Sequence, residues 1–243
     1  MSAYTQRPHE PATPPPSPGR PGAVPGWTEL VVGLAAAAVL AVGLTVLVEP
    51  AVDRTTFSLF LMGLSAVAAG GGFILAVLVR VRDVSVFGVR RTTTRWLLRG
   101  LVGGLLAFAL KFPVTRLYVL LSGNSGNPQA DWSTTAAGGV FTLISSMLLL
   151  GVLTPIGEEL LFRGVVTTVL LRYGAAVGVV GSAMIFAVLH GVPNTMFAAV
   201  IVGLIAGDLR RRSESIWPGV GVHVVFNLLS NLLAFVVAPA LAG

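Results

Sequence analysis

Seven polar or charged side chains interrupt the otherwise apolar C-terminal half of the chain. They are Glu158, Glu159, Arg163, His190, His223, Asn227 and Asn231. A charged side chain at the centre of a bilayer costs about 2.5–3.5 kcal/mol even on insertion scales, so such residues usually face the protein interior and serve a function. A carboxylate and an imidazole can bind and deprotonate water, and an imidazole and an amide can stabilise an oxyanion. The residue types therefore indicate hydrolysis.

The spacing of these residues predicts which of them share a helix face. Glu159 and Arg163 are four residues apart with the acid first, which suits an ion pair. Glu158 is offset by one position, so it stays available as a general base facing a water-containing cavity. His223 and Asn227 are again four apart and share a face. We expect these side chains to meet around one cavity.

The same residues also have structural explanations. The Glu–Arg pair could be a tether, a histidine at the end of a span could be interfacial, and membrane asparagines form interhelical hydrogen bonds worth about 0.6 kcal/mol. Two histidines and a glutamate also match the ligands of a hydrolytic zinc. The sequence contains no HExxH motif, however, so a metal site is the second choice. The concentration of these residues in one half of the chain favours a functional site.

The composition indicates which elements must hold such a site. Of 243 residues, 54% are hydrophobic and only 11% are charged, against about 25% charged in soluble domains. The mean hydropathy of +0.86 agrees. The apolar runs are continuous, which excludes a transmembrane barrel with its alternating strands. Because cysteine is absent, disulfides and thiolate sites are excluded. The sequence therefore predicts an all-α, polytopic transmembrane helical bundle.

About 20 apolar residues cross a bilayer as a helix, and seven stretches of this chain meet that length or approach it. The predicted spans are 27–48, 57–79, 96–121, 136–172 with a kink at Pro155, 174–190, 193–208 and 217–237. The polar stretch 122–135 is predicted to be a loop, and a tight turn is predicted at 191–194. An eighth span or a re-entrant segment near Pro155 stays open.

The arginines predict the orientation of the bundle. Six arginines and one aspartate lie between Arg80 and Arg99, and further arginines lie at 172 and 210–212. The positive-inside rule places all of them in the cytoplasm when seven spans start from a cytoplasmic N-terminus. Topology thus accounts for the net charge of +6, and no nucleic-acid partner is implied. Residues 1–26 contain eight prolines and are predicted to be a disordered cytoplasmic tail, which leaves 27–243 as the membrane domain.

Three short runs within these helices form a recognisable series. They are Glu158-Glu159-Leu160-Leu161-Phe162-Arg163-Gly164, Phe186-Ala187-Val188-Leu189-His190 and His223-Val224-Val225-Phe226-Asn227. The series resembles, in the same order, the EExxxR, FxxxH and HxxxN motifs of the CPBP family, the CAAX proteases and bacteriocin-processing enzymes also called the Abi family. The resemblance covers about residues 136–235.

The resemblance implies a bundle of about eight spans around a cytoplasm-facing polar cavity, in which a peptide bond is hydrolysed within the membrane. It implies that Glu158 is the general base with His190 as its partner. His223 and Asn227 would form the oxyanion hole, and Glu159 with Arg163 would support the first motif. The family resembles glutamate-dependent proteases, so no metal or other cofactor is expected.

A membrane-associated peptide or protein is therefore the expected substrate, cut near the cytoplasmic leaflet. The bias towards arginine, alanine, glycine and valine suggests a bacterium, and hence the bacterial inner membrane. A non-catalytic membrane scaffold or immunity protein that keeps the motifs as a buried polar network is the alternative. A proton-coupled transporter is a third hypothesis, which the lack of an inverted repeat disfavours.

Overall fold

The computed structural model describes residues 24–123, 139–191 and 193–241, and within these ranges the chain is helical and has no strand. Seven helices are found there: α1 (Trp27–Val48), α2 (Arg54–Val79), α3 (Thr94–Ser122), α4 (Val140–Tyr173), α5 (Val177–Leu189), α6 (Pro193–Ser213) and α7 (Trp217–Leu241). The all-α prediction is confirmed. The predicted tail, apart from residues 24–26, and most of the loop at 122–135 lie outside the described residues.

Five of these helices are long and apolar enough to cross a bilayer, namely α1, α2, α3, α4 and α7. Large aliphatic side chains on them point outwards, such as Val42 on α1 and Leu106 on α3, as expected of surfaces that face lipid. The protein is therefore an integral membrane protein. Helix α5 is apolar but shorter, and α6 is not among the five candidate spans, so a count of seven or eight spans stays a prediction.

The bundle is built around α4, which packs against α1, α2, α5 and α7. Helices α1 and α2 approach so closely at Gly33 and Gly72 that a Cβ atom on Gly72 would overlap the carbonyl oxygen of Gly33. Small residues at such crossings let membrane helices pack by van der Waals contact. A buried aromatic pair, Phe73 and Phe87, lies edge to face at 5.9 Å and closes the core near α4.

Helix α4 runs through its whole length without a break but contains two wide turns. The segments Leu149–Leu153 and Leu160–Val166 are π-helical, and short α-helical stretches lie between and after them. Pro155 follows the first wide turn. Proline lacks an N–H group and crowds the carbonyl four residues earlier, and a wide turn is one way to accommodate it. The irregularity predicted at Pro155 therefore takes the form of a π turn.

Contacts between helix ends place the arginine clusters at one end of the bundle. Arg80 at the end of α2 binds the fully buried carboxylate of Glu29, with its Nε 2.9 Å from Oε1 and its Nη2 3.0 Å from Oε2. Arg172 at the end of α4 donates a hydrogen bond of 3.0 Å to the carbonyl of Pro25. The N-terminus of α1 is thus joined to both arginine-bearing ends. Which side of the membrane this end faces stays a prediction.

Candidate active site

Helices α4 and α7 bring four of the predicted side chains together in the protein interior. Glu158, Glu159 and Arg163 lie on α4 and are 7%, 0% and 0% exposed, and His223 on α7 is 4% exposed. These are charged or titratable groups that rarely reach full burial without partners. Their clustering therefore identifies this crossing as the polar centre of the bundle.

Arg163 and Glu159 form the ion pair that their spacing predicts. Nη1 of Arg163 lies 3.2 Å from Oε1 of Glu159, although the angles do not make this contact a hydrogen bond. The guanidinium also lies over the ring of Phe186, with Cζ 4.6 Å from the ring centroid. Charge attraction and a cation–π contact thus hold Arg163 in place. The pair compensates two charges that would be costly to bury alone.

His223 lies between the two glutamates. Its Nδ1 is 3.2 Å from Oε1 of Glu159, and its Nε2 is 3.7 Å from Oε2 of Glu158. As the partner of Arg163, Glu159 is a carboxylate, and a carboxylate only accepts hydrogen bonds. The proton on His223 therefore lies on Nδ1, which donates to Glu159. This bond aims Nε2 at Glu158.

Oε2 of Glu158 is buried and has no hydrogen-bond partner within the described part of the chain. At 3.7 Å, Nε2 of His223 is too far away for a direct hydrogen bond. A buried carboxylate oxygen without a partner is costly, and native structures satisfy such atoms with water or ligand groups. A water molecule bonded to both atoms would satisfy them. Oε2 of Glu158 is therefore left for a partner that the described residues do not supply.

His190 at the end of α5 is not part of this contact. Its Nδ1 lies 2.8 Å from the carbonyl oxygen of Phe186, and it forms no ion pair with either carboxylate. A carbonyl only accepts, so Nδ1 carries the proton and Nε2 is left for other partners. The ring of Phe186 lies 4.4 Å from that of His190 and 5.6 Å from that of His223. Phe186 thus packs against both imidazoles.

The two asparagines of α7 bind main-chain carbonyls of α4. Nδ2 of Asn227 donates to the carbonyl of Leu150 at 2.9 Å, and Nδ2 of Asn231 donates to that of Ser146 at 3.3 Å. Leu150 belongs to the first π turn of α4. The interhelical bonds expected for these residues are therefore found. An amide group has two N–H donors, so Asn227 keeps one beyond this bond.

Two residues that support the site were not singled out from the sequence. A Cβ atom on Gly219 would lie 2.5 Å from Oε2 of Glu159, so only glycine leaves room for this carboxylate. Arg210, which the sequence treats only as a topology signal, is buried and donates to the carbonyl of Arg163 at 3.2 Å and to Oγ1 of Thr168 at 2.9 Å. Burial lowers the pKa of Arg210 to about 10, so it stays charged at neutral pH.

The donor groups of this centre do not match a metal site. Among the described residues, no group of three histidine, cysteine, aspartate or glutamate side chains could hold a metal ion. Glu158 and His223 are near each other, but His190, the third ligand expected for zinc, contacts Phe186 instead. A hydrolytic zinc needs three protein ligands. The described side chains therefore do not form the three-ligand set of a hydrolytic zinc.

Part of the chain matches a known protein family. Residues 140–229 match the family described as type II CAAX prenyl endopeptidase Rce1-like. No curated protein and no solved structure matches the chain. The matched segment begins with α4 and ends within α7, so it contains all three motifs and the buried centre. Over residues 140–229, the chain is thus similar to the Rce1-like family of type II CAAX prenyl endopeptidases, in agreement with the motifs.

Proposed function

We propose that the protein is an intramembrane endopeptidase that hydrolyses a peptide bond of a membrane-associated peptide or protein with a water activated by glutamate and histidine. The observation that carries this proposal is the meeting of Glu158, Glu159 and His223 inside the bundle, within a segment that matches a family of peptide hydrolases. General-base hydrolysis requires a basic group beside the attacking water, and a water bound to the unpartnered Oε2 of Glu158 would meet this requirement.

In this mechanism Glu158 is the general base. Its carboxylate takes a proton from the bound water while the water oxygen attacks the carbonyl carbon of the scissile bond. The tetrahedral intermediate carries the negative charge on the former carbonyl oxygen. It collapses with cleavage of the C–N bond as Glu158 returns the proton to the leaving nitrogen. The products are a new carboxyl terminus and a new amino terminus.

The oxyanion is assigned to His223 and Asn227. With its Nδ1 directed to Glu159, His223 has its Nε2 free to offer an N–H donor to the oxyanion when both ring nitrogens carry a proton. Asn227 supplies the second N–H of its side-chain amide, which is not used in the hydrogen bond to Leu150. Glu159 and Arg163 hold His223 in position. His190 is the proposed partner of Glu158. This role is supported by the FxxxH motif, because the ring of His190 contacts Phe186 and not Glu158.

Location and organisation are part of the same proposal. The protein is placed in a bacterial inner membrane, with a cytoplasmic N-terminus and a proline-rich tail at 1–26. The catalytic core spans about 136–235, within a membrane domain formed by the remainder of the chain. The arginine-rich end of the bundle supports this orientation through the positive-inside rule. A cavity open to the cytoplasm would let a membrane-associated substrate reach Glu158.

Comparison of membrane proteomes tests the proposal directly. Cells producing the wild type are compared with cells producing Glu158→Gln, which keeps the side-chain shape and removes the base. We expect peptides with new termini in the wild-type membranes only, and the same thermal unfolding midpoint for both proteins. The matched control is Glu49→Gln, the same substitution at an exposed position, which should cleave as the wild type does. New termini of equal abundance with Glu158→Gln would instead favour a non-catalytic scaffold or immunity protein.

A further inference from the structure

A groove with a volume of about 510 Å³ lies at the arginine-rich end of the bundle, on its outer surface. Arg91 and Thr92 line one part of it, and Leu97 of α3 lines another. Helix α7 contributes Trp217, Val220, Gly221 and Val224. These four positions recur at the spacing of one helix face and extend about 10 Å along the axis. The groove therefore has a polar part and an apolar part that runs along a membrane-spanning helix.

The rim of the groove is fixed by bonds between two loops. The N–H of Ile216 donates to the carbonyl of Gly88 at 3.0 Å, and the hydroxyl of Ser215 donates to the carbonyl of Arg90 at 2.8 Å. Nε of Arg90 donates to the carbonyl of Glu214 at 2.8 Å, and the two side chains form an ion pair. The loop that bears Arg91 is thereby joined to the start of α7, and the groove is built before anything binds.

The polar part of the groove carries a positive charge that the protein does not compensate. Arg90 is neutralised by Glu214, whereas the exposed Arg91 forms no ion pair or hydrogen bond within the described ranges. The loop before α3 and the first turns of α3 together contain six arginines and a single aspartate, Asp83. Basic residues next to a membrane span attract the negative charge of anionic lipids, each contributing about 1 kcal/mol.

We propose that this groove binds an anionic phospholipid, with the headgroup phosphate at Arg91 and Thr92 and an acyl chain along Leu97, Val220 and Val224. Charge complementarity selects the headgroup, and the apolar face of α7 fits the chain. Trp217, the first residue of α7, also lines the groove, and tryptophan is enriched at membrane interfaces. This binding does not depend on the proposed protease activity, since none of the groove residues belongs to the buried centre.

The position of the lipid gives it a structural role. Gly219 and His223 lie on the part of α7 that faces Glu159, and the groove lies on another face of the same two turns. A bound lipid therefore supports α7 from outside where the helix positions His223 from within. We expect the thermal unfolding midpoint of the protein to rise when anionic lipid is added.

The test measures which lipids stay on the full-length protein. Purified protein is reconstituted into nanodiscs of phosphatidylcholine mixed with phosphatidylglycerol, extracted with mild detergent, and analysed by native mass spectrometry. The wild type should retain phosphatidylglycerol in preference to phosphatidylcholine. Arg91→Gln should lose about fivefold in this preference, the factor that corresponds to about 1 kcal/mol per basic residue. The control is Arg82→Gln, which removes the same charge from the same loop but outside the groove.

A second variant tests the apolar part of the groove. Val224→Trp fills it without changing any charge, and it should reduce the retention of both lipids. The proposal is overturned if Arg91→Gln keeps the wild-type preference, if Arg82→Gln loses as much as Arg91→Gln, or if Val224→Trp retains lipid as before. Thermal unfolding of each variant in detergent alone verifies that the fold is intact, so a loss of retention reports on the groove.

Discussion

Replacement of Arg163 by methionine tests the buried ion pair most directly. Arg163 and Glu159 are both fully buried, and the nearest atoms of the pair are 3.2 Å apart. Methionine fills a similar volume and keeps a favourable contact with the ring of Phe186. The substitution therefore removes the charge while it disturbs the packing little.

The expected loss of stability follows from the charge that remains. Removal of one partner from a buried ion pair costs about 3–5 kcal/mol, because the other charge stays in the interior uncompensated. For a protein of this size, 1 kcal/mol corresponds to about 2–4 °C in the unfolding midpoint. At the lower estimate of about 3 kcal/mol, Arg163→Met should therefore unfold about 6–12 °C below the wild type.

A double-mutant cycle distinguishes this charge effect from simple damage to the core. Glu159→Gln removes the remaining charge but keeps an oxygen that can accept the hydrogen bond from Nδ1 of His223. The double variant should therefore be more stable than Arg163→Met alone, with a coupling energy of about 0.5–3 kcal/mol. Scanning fluorimetry in one detergent gives all four midpoints.

Two outcomes would refute this reasoning. A midpoint for Arg163→Met within about 2 °C of the wild type would mean a cost below about 1 kcal/mol, and hence no buried charge left behind. Additive losses in the double variant would mean that the two side chains do not interact across the measured distance. Arg212→Met, at an exposed position of α6, is the control and should leave the midpoint unchanged.

Three further substitutions test contacts around the same centre. Gly219→Ala places a Cβ atom 2.5 Å from Oε2 of Glu159, so it should lower both the unfolding midpoint and the cleavage rate. Asn227→Ala leaves the carbonyl of Leu150 without its donor, and should cost about 1–3 kcal/mol in stability and abolish most cleavage. Arg210→Lys keeps the charge but cannot donate in two directions from a planar group, so it should slow cleavage of the substrate found by the proteome comparison.

Each of these substitutions has a matched control in the chain. Gly221→Ala meets its nearest neighbour at an ordinary 3.5 Å and should be tolerated, and a loss equal to that of Gly219→Ala would argue against the steric explanation. Asn231→Ala breaks a longer bond and should affect stability more than cleavage. Arg211→Lys, bound to Asp208 on its own helix, should behave as the wild type does. Equal rates for Arg210→Lys and the wild type would remove Arg210 from the site.

The sequence predicted much of the fold because the bilayer constrains it strongly. The first span was predicted with the observed bounds, and the second and third within three residues at either end. The i,i+4 spacing also predicted the pair of Glu159 with Arg163. Both results depend only on local regularity, namely the length of apolar runs and the period of a helix.

The remainder depends on tertiary contacts that no local pattern contains. The sequence around Arg210 gives no sign that this side chain is buried, because its burial is set by the approach of α6 to α4. Likewise, nothing in the sequence near His223 says that its two ring nitrogens face different glutamates. The position of Phe186 against both imidazoles depends on the angle at which α5 meets α4.

The first π turn of α4 has an evolutionary consequence. A π turn holds one residue more than the α-helical turn it replaces, so its loss restores a regular helix and keeps the faces on either side in register. A relative that lacks one residue within Leu149–Leu153 should therefore align its glutamates with Glu158 and Glu159 without any other change. The same deletion between Glu159 and Arg163 would bring the two charges three positions apart. Gaps in relatives should accordingly be more common within Leu149–Leu153 than between Glu159 and Arg163.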